Sequence, residues 1–215
     1  LRQKERLLSE VSHELRTPLS KMRLIIALMP ENDKTKKIDI QIKHLDAMIT
    51  NILLSDKMSG SYANLDITKF SISSLLDESL QLSTNRNVVN LSKANCYMFG
   101  DIIKLSVVIK NILDNIDKYA RVERPCEFLA LENHNEMIIT IKDFGPGIPV
   151  DLLNKITVPF VQGEKDKNKG FGLGLSICKK VVLAHGGTFK ISNNDIAPGA
   201  LFAIIIPKDT NYGKK

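Results

Sequence analysis

The first 58 residues carry two apolar stripes with helical spacing, separated by a short break at residues 30–33. In the first stripe, apolar residues recur at steps of three and four, as on the buried face of an amphipathic helix. Its members are Leu8, Val11, Leu15, Leu19, Met22 and Ile26. The second stripe contains Ile38, Ile42, Leu45, Ile49 and Ile52. The pattern predicts helices over residues 1–29 and 34–58 that form an antiparallel hairpin. Pro18 removes a backbone donor and is expected to kink or loosen the first helix.

One hairpin cannot bury both stripes, because each helix has only one neighbour. Two copies packed as a four-helix bundle would cover them, so the pattern favours a homodimer. The alternative is that the hairpin packs on the following domain of the same chain.

His13 lies two residues from Val11 and two from Leu15, about 200° around the helix from each at roughly 100° per residue. We therefore predict that its imidazole points away from the stripe, towards solvent. Glu14 is its neighbour and Thr17 lies one turn later. An imidazole with an adjacent acid is a candidate nucleophile, and an exposed histidine without a role is the alternative.

The composition, 43% hydrophobic and 25% charged over 215 residues, allows one or two globular domains. The net charge of +6 is spread along the chain, so nucleic-acid binding is not predicted. Cys96, Cys126 and Cys178 lack metal-like spacing, which favours free thiols in a reducing compartment.

No apolar run approaches the roughly 18 residues of a membrane helix, and no signal peptide is visible. Because the chain starts with Leu1, we expect it to be a piece of a longer protein, with any membrane segment outside it.

The composition changes after residue 59, where a linker is predicted over residues 60–64. The following patterns predict strands at 65–70, 88–91, 96–99, 128–132, 137–143, 188–192 and 200–206, and helices at 73–85, 101–120 and 171–185. Ser73 or Ser74 is expected to cap the first of these helices. Because helices and strands do not strictly alternate, we predict an α+β fold. Its second domain would be a two-layer α/β sandwich over residues 65–208, followed by a tail at 209–215.

A polar helix face is the first candidate for a nucleotide site. Asn111, Asn115 and Lys118 fall on one side of the predicted helix 101–120. Amide oxygens can complete a magnesium shell of phosphate and water, and a lysine can meet a phosphate. A merely solvated polar face is the alternative.

Two glycine-containing stretches are further candidates. Asp143, after an apolar strand, could accept a hydrogen bond from an adenine amino group, and the following Gly145 and Gly147 would let the backbone approach the ring. The stretch from Gly170 to Gly174 opens a predicted helix, whose N–H groups and positive end suit a polyphosphate. Its spacing is neither the Walker A nor the Rossmann pattern. Alone, each stretch is also compatible with an ordinary turn or helix start.

Taken together and in this order, the stretches resemble the sensor histidine kinases. Ser12–Leu19 is similar to the phosphoacceptor box, Asn111–Tyr119 to the N box, Asp143–Gly147 to the G1 box, Pro159–Phe160 to the F box and Gly170–Gly174 to the G2 box. The resemblance extends from about residue 4 to residue 207. It implies a hairpin at residues 1–59 for dimerisation and phosphotransfer, followed by an ATP-binding domain of the Bergerat type.

The resemblance implies ATP and Mg²⁺ as cofactors and His13, Glu14 and Thr17 as catalytic residues. Asn115 would hold the magnesium. Residues 144–169 would form a mobile lid over ATP. The implied nucleotide-binding set is Asn111, Asn115, Lys118, Tyr119, Asp143, Gly145, Gly147, Ile148, Phe160, Gly170, Phe171, Gly172, Leu173, Gly174 and Leu175.

The resemblance further implies that His13 is phosphorylated from ATP and passes the phosphoryl group to an aspartate in the receiver domain of a response regulator. Glu14 and Thr17 form an E-x-x-T arrangement, which implies phosphatase activity towards that regulator. The parent protein would lie in a bacterial inner membrane, with this core in the cytoplasm. The alternatives are an ATPase of the same nucleotide fold without phosphohistidine chemistry, and a dimeric scaffold with a degenerate ATP site.

Two positions depart from the family pattern. Gln162 stands where many relatives carry a basic residue, so Lys165, Lys167 or Lys169 would have to meet the phosphates. Ile116 replaces the small residue usual after the second asparagine and is expected to narrow the pocket floor.

Overall fold

The computed structural model describes residues 2–39, 41, 42, 45, 65–85, 87–93, 95–120, 123–163, 172–194 and 197–208, with side chains from residue 14 onwards. The chain divides into two compact units, Leu1–Ala63 and Asn64–Lys215. No described helix is long and apolar enough to cross a membrane. The predicted linker 60–64, the tail 209–215 and the hairpin beyond residue 45 lie outside the described residues.

The described residues of the first unit form two helices. Helix α1, Arg2–Ala27, continues through Pro18, and the second, α2, is described as helical at residues 33–39, 41, 42 and 45. Asn32 begins α2 as its cap, because its Oδ1 accepts the backbone N–H groups of Lys34 at 2.9 Å and Thr35 at 3.0 Å. In return, the Oγ1 of Thr35 accepts the N–H of Asn32 at 2.8 Å. These reciprocal bonds end the break between the helices at the predicted place.

A single copy of the hairpin buries only part of its apolar stripes. Leu19 and Ile42 are buried, with Ile26 packed against them. Other members of the stripes remain nearly half exposed in the single chain, namely Leu15, Met22, Ile38 and Leu45. The described residues thus retain an apolar surface that an additional packing partner would have to cover.

The second unit is an α+β sandwich, which confirms the predicted fold class. Its strands are β1 Thr68–Ser71, β2 Val88–Asn90, β3 Tyr97–Gly100, β4 Cys126–Glu132, β5 Glu136–Lys142, β6 Thr188–Asn193 and β7 Ala200–Pro207. Five of them form a sheet of order β2-β4-β5-β7-β6, in which β2 and β4 are parallel and the other neighbours are antiparallel. A separate ribbon pairs β1 with β3. The helices are α3 Ile72–Leu82, α4 Ile102–Tyr119, α5 Val150–Leu153 and α6 Gly174–Ala184.

The core lies between one face of this sheet and the helices α4 and α6. Along β5 and β7, every second side chain is buried, as a strand with one covered face requires. The helices contribute residues that step by three and four along their inner faces. Fully buried side chains of this core include Ile109, Ile112 and Leu113 of α4, Ile177 and Val181 of α6, and Phe128, Ile139, Ile141 and Ile204 of the sheet. The three cysteines are buried free thiols, as predicted.

Two helix starts differ from the sequence-based prediction. Ser71, not Ser73 or Ser74, caps α3, because its Oγ accepts the N–H of Ser74 at 3.0 Å and the helix begins at Ile72. Helix α6 begins at Gly174 rather than at residue 171. Gly172 has φ +65°, which a right-handed helix cannot include.

His185 ties the end of α6 to the start of α4. Its Nε2 accepts the backbone N–H of Asp101 at 3.0 Å, and its Nδ1 lies 2.8 Å from the carbonyl oxygen of Val181. These partners place the ring proton on Nδ1. Burial lowers the pKa of His185, against the effects of the Val181 carbonyl and of Asp101 and together with that of Lys104. The buried ring is therefore neutral.

We expect the stability of the second unit to decrease below about pH 6.5, the ordinary pKa of histidine. The unfolded imidazole binds a proton there, whereas the folded one does so only at lower pH, so falling pH favours unfolding by up to about 1.4 kcal/mol per pH unit. Urea unfolding at about pH 7.5 and about pH 5.5 measures this effect. His185→Gln should be less stable at both values but should lack this part of the pH dependence. An unchanged pH dependence in the variant would refute the assignment.

Candidate nucleotide site

Helix α4 presents the predicted asparagine face away from its buried side. Ile109, Ile112, Leu113 and Ile116 are buried, as predicted, whereas Asn111 and Asn115 are only partly buried. Lys118 and Tyr119 are exposed in the last turn. One polar strip along the helix therefore carries two carboxamides and an ammonium group. The Asn111 side chain also hydrogen-bonds to the thiol of the buried Cys178.

A neighbouring residue of the same box, Asp114, has a structural role instead. It accepts a hydrogen bond from the Oγ of Ser83 at 2.7 Å and forms a salt bridge with Lys110 at 2.8 Å. Burial opposes its ionisation, but the bonds from Lys110 and Ser83 outweigh burial and lower the pKa of Asp114. This carboxylate ties α4 to the end of α3.

Asp143 follows β5 and is buried, with 6% of its surface exposed. Its Oδ1 accepts two backbone N–H groups, that of Gly145 at 2.8 Å and that of Ala200 at 3.1 Å. Because two donors fix one oxygen, the carboxylate cannot rotate freely. Among the described residues no donor reaches its Oδ2, which can accept a bond from a ligand. An anionic acceptor oriented in this way suits an amino group of a ligand.

Two glycines bring the turn after Asp143 close to its neighbours. A Cβ at Gly145 would lie 2.5 Å from the Cα of Ala120, so no side chain fits between the turn and the end of α4. Gly147 has φ +78°, and a Cβ there would lie 2.9 Å from the Oδ1 of Asn193. The turn thus reaches α4 on one side and the end of β6 on the other.

Ile116 lies on the wall of a cavity of about 130 Å³ beside Asp143. Ala120, Cys126 and Phe144 also line this cavity. The guanidinium of Arg124 lies 3.3 Å above the centre of the Phe144 ring, which closes one side. A larger cavity of about 440 Å³ lies among Tyr97, Met137, Ile206 and Lys208, at the opposite end of the sheet from Asp143. It includes none of the predicted site residues.

A residue within the predicted lid, Phe160, makes a backbone contact with Gly172, which follows the lid in the sequence. The N–H of Phe160 donates to the carbonyl oxygen of Gly172 at 3.0 Å, and both residues have positive φ, +67° and +65°. A Cβ at Gly172 would lie 2.3 Å from the carbonyl oxygen of Val161. Residues 164–171 lie outside the described residues, and with them Gly170, Phe171, Lys165, Lys167 and Lys169. The Phe160 side chain is exposed.

The N-terminus of α6 lies beside the asparagine face of α4. A Cβ at Gly174 would lie 3.8 Å from the Cβ of Asn111. The side chains of Leu173 and Leu175 are buried in the core. Any contact of these two leucines with a ligand would therefore involve their backbone. The first turn of α6, whose leading N–H groups have no partner within their own helix, thus lies beside Asn111, and a helix start of this kind suits an anionic ligand.

The residues that hold Asp143 from the far side were not predicted from the sequence. Asn193 and Asn194 at the end of β6, together with Gly199 and Ala200 at the start of β7, contact the turn that follows Asp143. The only signal in the sequence is an Asn-Asn pair that ends a strand shortly before a glycine, which is also typical of an ordinary turn.

The predicted phosphoacceptor lies on α1. The helix includes position 13, but the side chain of His13 lies outside the described part of the structure. Glu14 and Thr17 are exposed, three residues apart on the same helix. Their spacing places both side chains on one face.

Two family models match the chain. The model described as "Histidine kinase-, DNA gyrase B-, and HSP90-like ATPase" matches residues 100–210, which include every described residue of the nucleotide site. The model described as "His Kinase A (phospho-acceptor) domain" matches residues 3–60, which include His13.

Individual relatives agree with both matches. Sensor protein ChvG of Agrobacterium fabrum is 25% identical over 228 residues, covering 93% of this chain and 38% of the relative. Sensor protein KdpD of Clostridium acetobutylicum is 29% identical over 228 residues, covering 97% of this chain and 25% of the relative. The chain thus spans well under half of these relatives. The full-length structure of ShkA in complex with AMPPNP has the same fold, with TM-score 0.77 and 22% identity over 94% of this chain and 45% of that one. The two matches, in the order found here, show that the chain belongs to the sensor histidine kinases and corresponds to their catalytic core.

Proposed function

We propose that this chain transfers the γ-phosphoryl group of ATP to His13 and then passes it to an aspartate of a response-regulator receiver domain. The observation that carries the proposal is the orientation of Asp143, whose Oδ2 is left open by two backbone donors to Oδ1. The same chain also matches the family model of the phosphoacceptor domain, over a range that includes His13. A degenerate scaffold would have no need of such an oriented acceptor.

In this proposal, Asp143 recognises the adenine base. Its open oxygen accepts a hydrogen bond from the adenine amino group, and Tyr119 and Ile148 lie against the nucleotide. Asn111 and Lys118 contact the phosphates, together with the N–H groups at the start of α6. A carboxylate acceptor favours adenine over guanine, which carries a carbonyl oxygen at the corresponding position.

The residues of the α4 face fit a nucleotide-bound Mg²⁺. Asn115 offers one neutral carboxamide oxygen from a partly buried position. Such a donor completes a coordination shell that is otherwise phosphate and water, whereas a dedicated protein site would use several carboxylates. When bound, the cation neutralises charge on the phosphates.

His13 is the nucleophile. One neutral ring nitrogen attacks the γ-phosphorus of ATP in line. Glu14 accepts the hydrogen bond of the other ring nitrogen and stabilises the cation that develops. The bond from phosphorus to the ADP oxygen breaks as the new N–P bond forms. Positioning the two groups in line contributes most of the catalysis.

The hairpin acts as a homodimer in this proposal. Leu15, Met22, Ile38 and Leu45 retain exposed apolar surface in the single chain. Two copies in a four-helix bundle would cover this surface. The longer parent protein would supply the sensor and the membrane segments, because the matched relatives extend far beyond the part that this chain covers.

Incubation with γ-labelled ATP and Mg²⁺ tests the kinase proposal. We expect acid-labile, base-stable label on the wild type and none on His13→Gln. His134→Gln is the matched control, because His134 is exposed in the turn between β4 and β5 and should keep its label unchanged. Label that persists in His13→Gln would refute the assignment of His13 as the phosphoacceptor. ATP turnover without any labelled protein would favour the ATPase alternative.

We further propose phosphatase activity towards the phosphorylated regulator, supported by the exposure of Glu14 and Thr17 on one face of α1. The Thr17 hydroxyl would orient the attacking water. Thr17→Ala is expected to slow dephosphorylation about 10- to 100-fold while autophosphorylation changes less than about threefold. Loss of radiolabel from the purified phospho-regulator measures the first rate. Thr17→Ser, which keeps the hydroxyl, is the control, and equal loss of both activities in Thr17→Ala would contradict the role.

A further inference from the structure

Two consecutive asparagines at the end of β6 hold the two ends of the turn formed by residues 143–148. Asn194 donates from its Nδ2 to the backbone carbonyl oxygen of Asp143 at 2.9 Å. Asn193 accepts the N–H of Ile148 at its Oδ1 at 2.7 Å and donates from its Nδ2 to the carbonyl oxygen of Ile148 at 2.8 Å. The turn that begins with Asp143 is therefore tied to one strand at its first and last residues.

The bonds of Asn193 define its amide orientation. Its oxygen faces a backbone donor and its nitrogen faces a backbone acceptor, so the two groups cannot exchange places. Both bonds are short, and together they fix Ile148 in direction as well as distance. An aspartate at position 193 would keep the acceptor but would place a negative oxygen against the carbonyl oxygen of Ile148.

Residues Gly199 and Ala200, at the start of β7, also pack closely against Asp143, so the turn has little room to move. A Cβ at Gly199 would lie 2.1 Å from the carbonyl oxygen of Asp143 and 2.6 Å from the Nδ2 of Asn194. The next residue, Ala200, donates its N–H to the Oδ1 of Asp143 at 3.1 Å. The backbone and the carboxylate of Asp143 are therefore positioned by the same short segment of β6 and β7.

We propose that Asn193 and Asn194 are positioning residues for base recognition: by fixing the 143–148 turn they aim the open oxygen of Asp143 at the amino group of adenine. This inference rests on the proposed binding of ATP. Neither asparagine contacts the nucleotide. Loss of either one would let the turn shift and would weaken the bond to the base more than the contacts to the phosphates, which come from α4 and α6.

A comparison of two nucleotides tests this role. The affinities of the full chain for Mg-ATP and for purine riboside triphosphate, which lacks the amino group, are measured by calorimetry. We expect the wild type to prefer ATP by about tenfold or more, the value of a hydrogen bond to a charged group. In Asn193→Ala and Asn194→Ala, this preference should fall towards one because ATP binding weakens while the analogue binds nearly as before. Ser192→Ala, an exposed neighbour on the same strand, should keep the wild-type preference.

The ratio of the two affinities distinguishes a positioning role from a general loss of structure, because partial unfolding lowers the affinities for both nucleotides equally. A wild type that prefers ATP, with asparagine variants that keep the full preference, would overturn the inference while leaving the proposed function standing. A wild type that binds no ATP, or binds both nucleotides equally, would overturn both. Should an alanine variant fail to fold, Asn193→Asp provides the same comparison with a side chain of nearly the same size.

Discussion

Replacing Asp143 with asparagine is expected to leave the second unit folded and to weaken ATP binding by roughly 100-fold. The Oδ1 of the new amide can still accept the N–H groups of Gly145 and Ala200, which lie 2.8 and 3.1 Å from the present Oδ1. That orientation places the amide nitrogen where Oδ2 now lies. A donor would then face the adenine amino group, itself a donor, so an attractive contact becomes an unsatisfied one.

Calorimetric titration with Mg-ATP and thermal unfolding of the free protein test this prediction together. Asp77→Asn, an exposed position on α3, is the matched control for the change in charge. We expect the control to bind ATP as the wild type does, and both variants to melt within a few degrees of the wild type, consistent with about 1 kcal/mol of lost stability or less. Wild-type affinity in Asp143→Asn would refute the proposed contact with the base.

Gly172→Ala is expected to lower phosphorylation of His13 by about 100-fold or more, because displacements of about 1 Å at a site can have effects of this size. Gly172 has φ +65°, and an added Cβ would lie 2.3 Å from the carbonyl oxygen of Val161. The positive φ would strain an alanine at this position, and its Cβ would collide with a backbone atom. Backbone atoms cannot move aside as the end of a flexible side chain can. The bond from the Phe160 N–H to the carbonyl oxygen of Gly172 would be lost, and with it this contact between the predicted lid and the segment that follows it.

Gly174→Ala is the control for this prediction, because it changes a glycine in the same motif. Position 174 is the first residue of α6, and a Cβ there would meet nothing closer than 3.8 Å, at Asn111. We expect this variant to keep its melting temperature, since alanine suits a helix, and to lose less phosphorylation of His13 than Gly172→Ala does. The measurements are the rate of His13 labelling and the affinity for ATP in each variant. If Gly172→Ala and Gly174→Ala lost labelling to the same extent, the positive φ of Gly172 would have no role.

Much of the secondary structure followed from periodicity. The buried alternation of β5 and the inner face of α4 were predictable, because both depend on a local pattern and on one covered side. Ser71 was missed as the cap of α3 because its role depends on where β1 ends. Three serines near that point, Ser71, Ser73 and Ser74, are equally suitable by residue type.

The links across the nucleotide site could not be predicted in this way. Asn193 reaches Ile148 across 45 positions, and Asn194 reaches Asp143 across 51. These contacts exist only because β7 pairs with both β5 and β6, which brings the ends of two strands distant in sequence to one edge. The structural role of His185 has the same origin, since it joins α6 to Asp101 across 84 positions.

The sequence by itself determined the helical stripes, the order of the motifs, the family and the presence of a carboxylate at position 143. Only the tertiary structure decided which oxygen of that carboxylate is available to a ligand. The two oxygens of an aspartate are chemically equivalent in the sequence. They become different only when the backbone N–H groups of Gly145 and of Ala200, from another strand, both lie within reach of one of them.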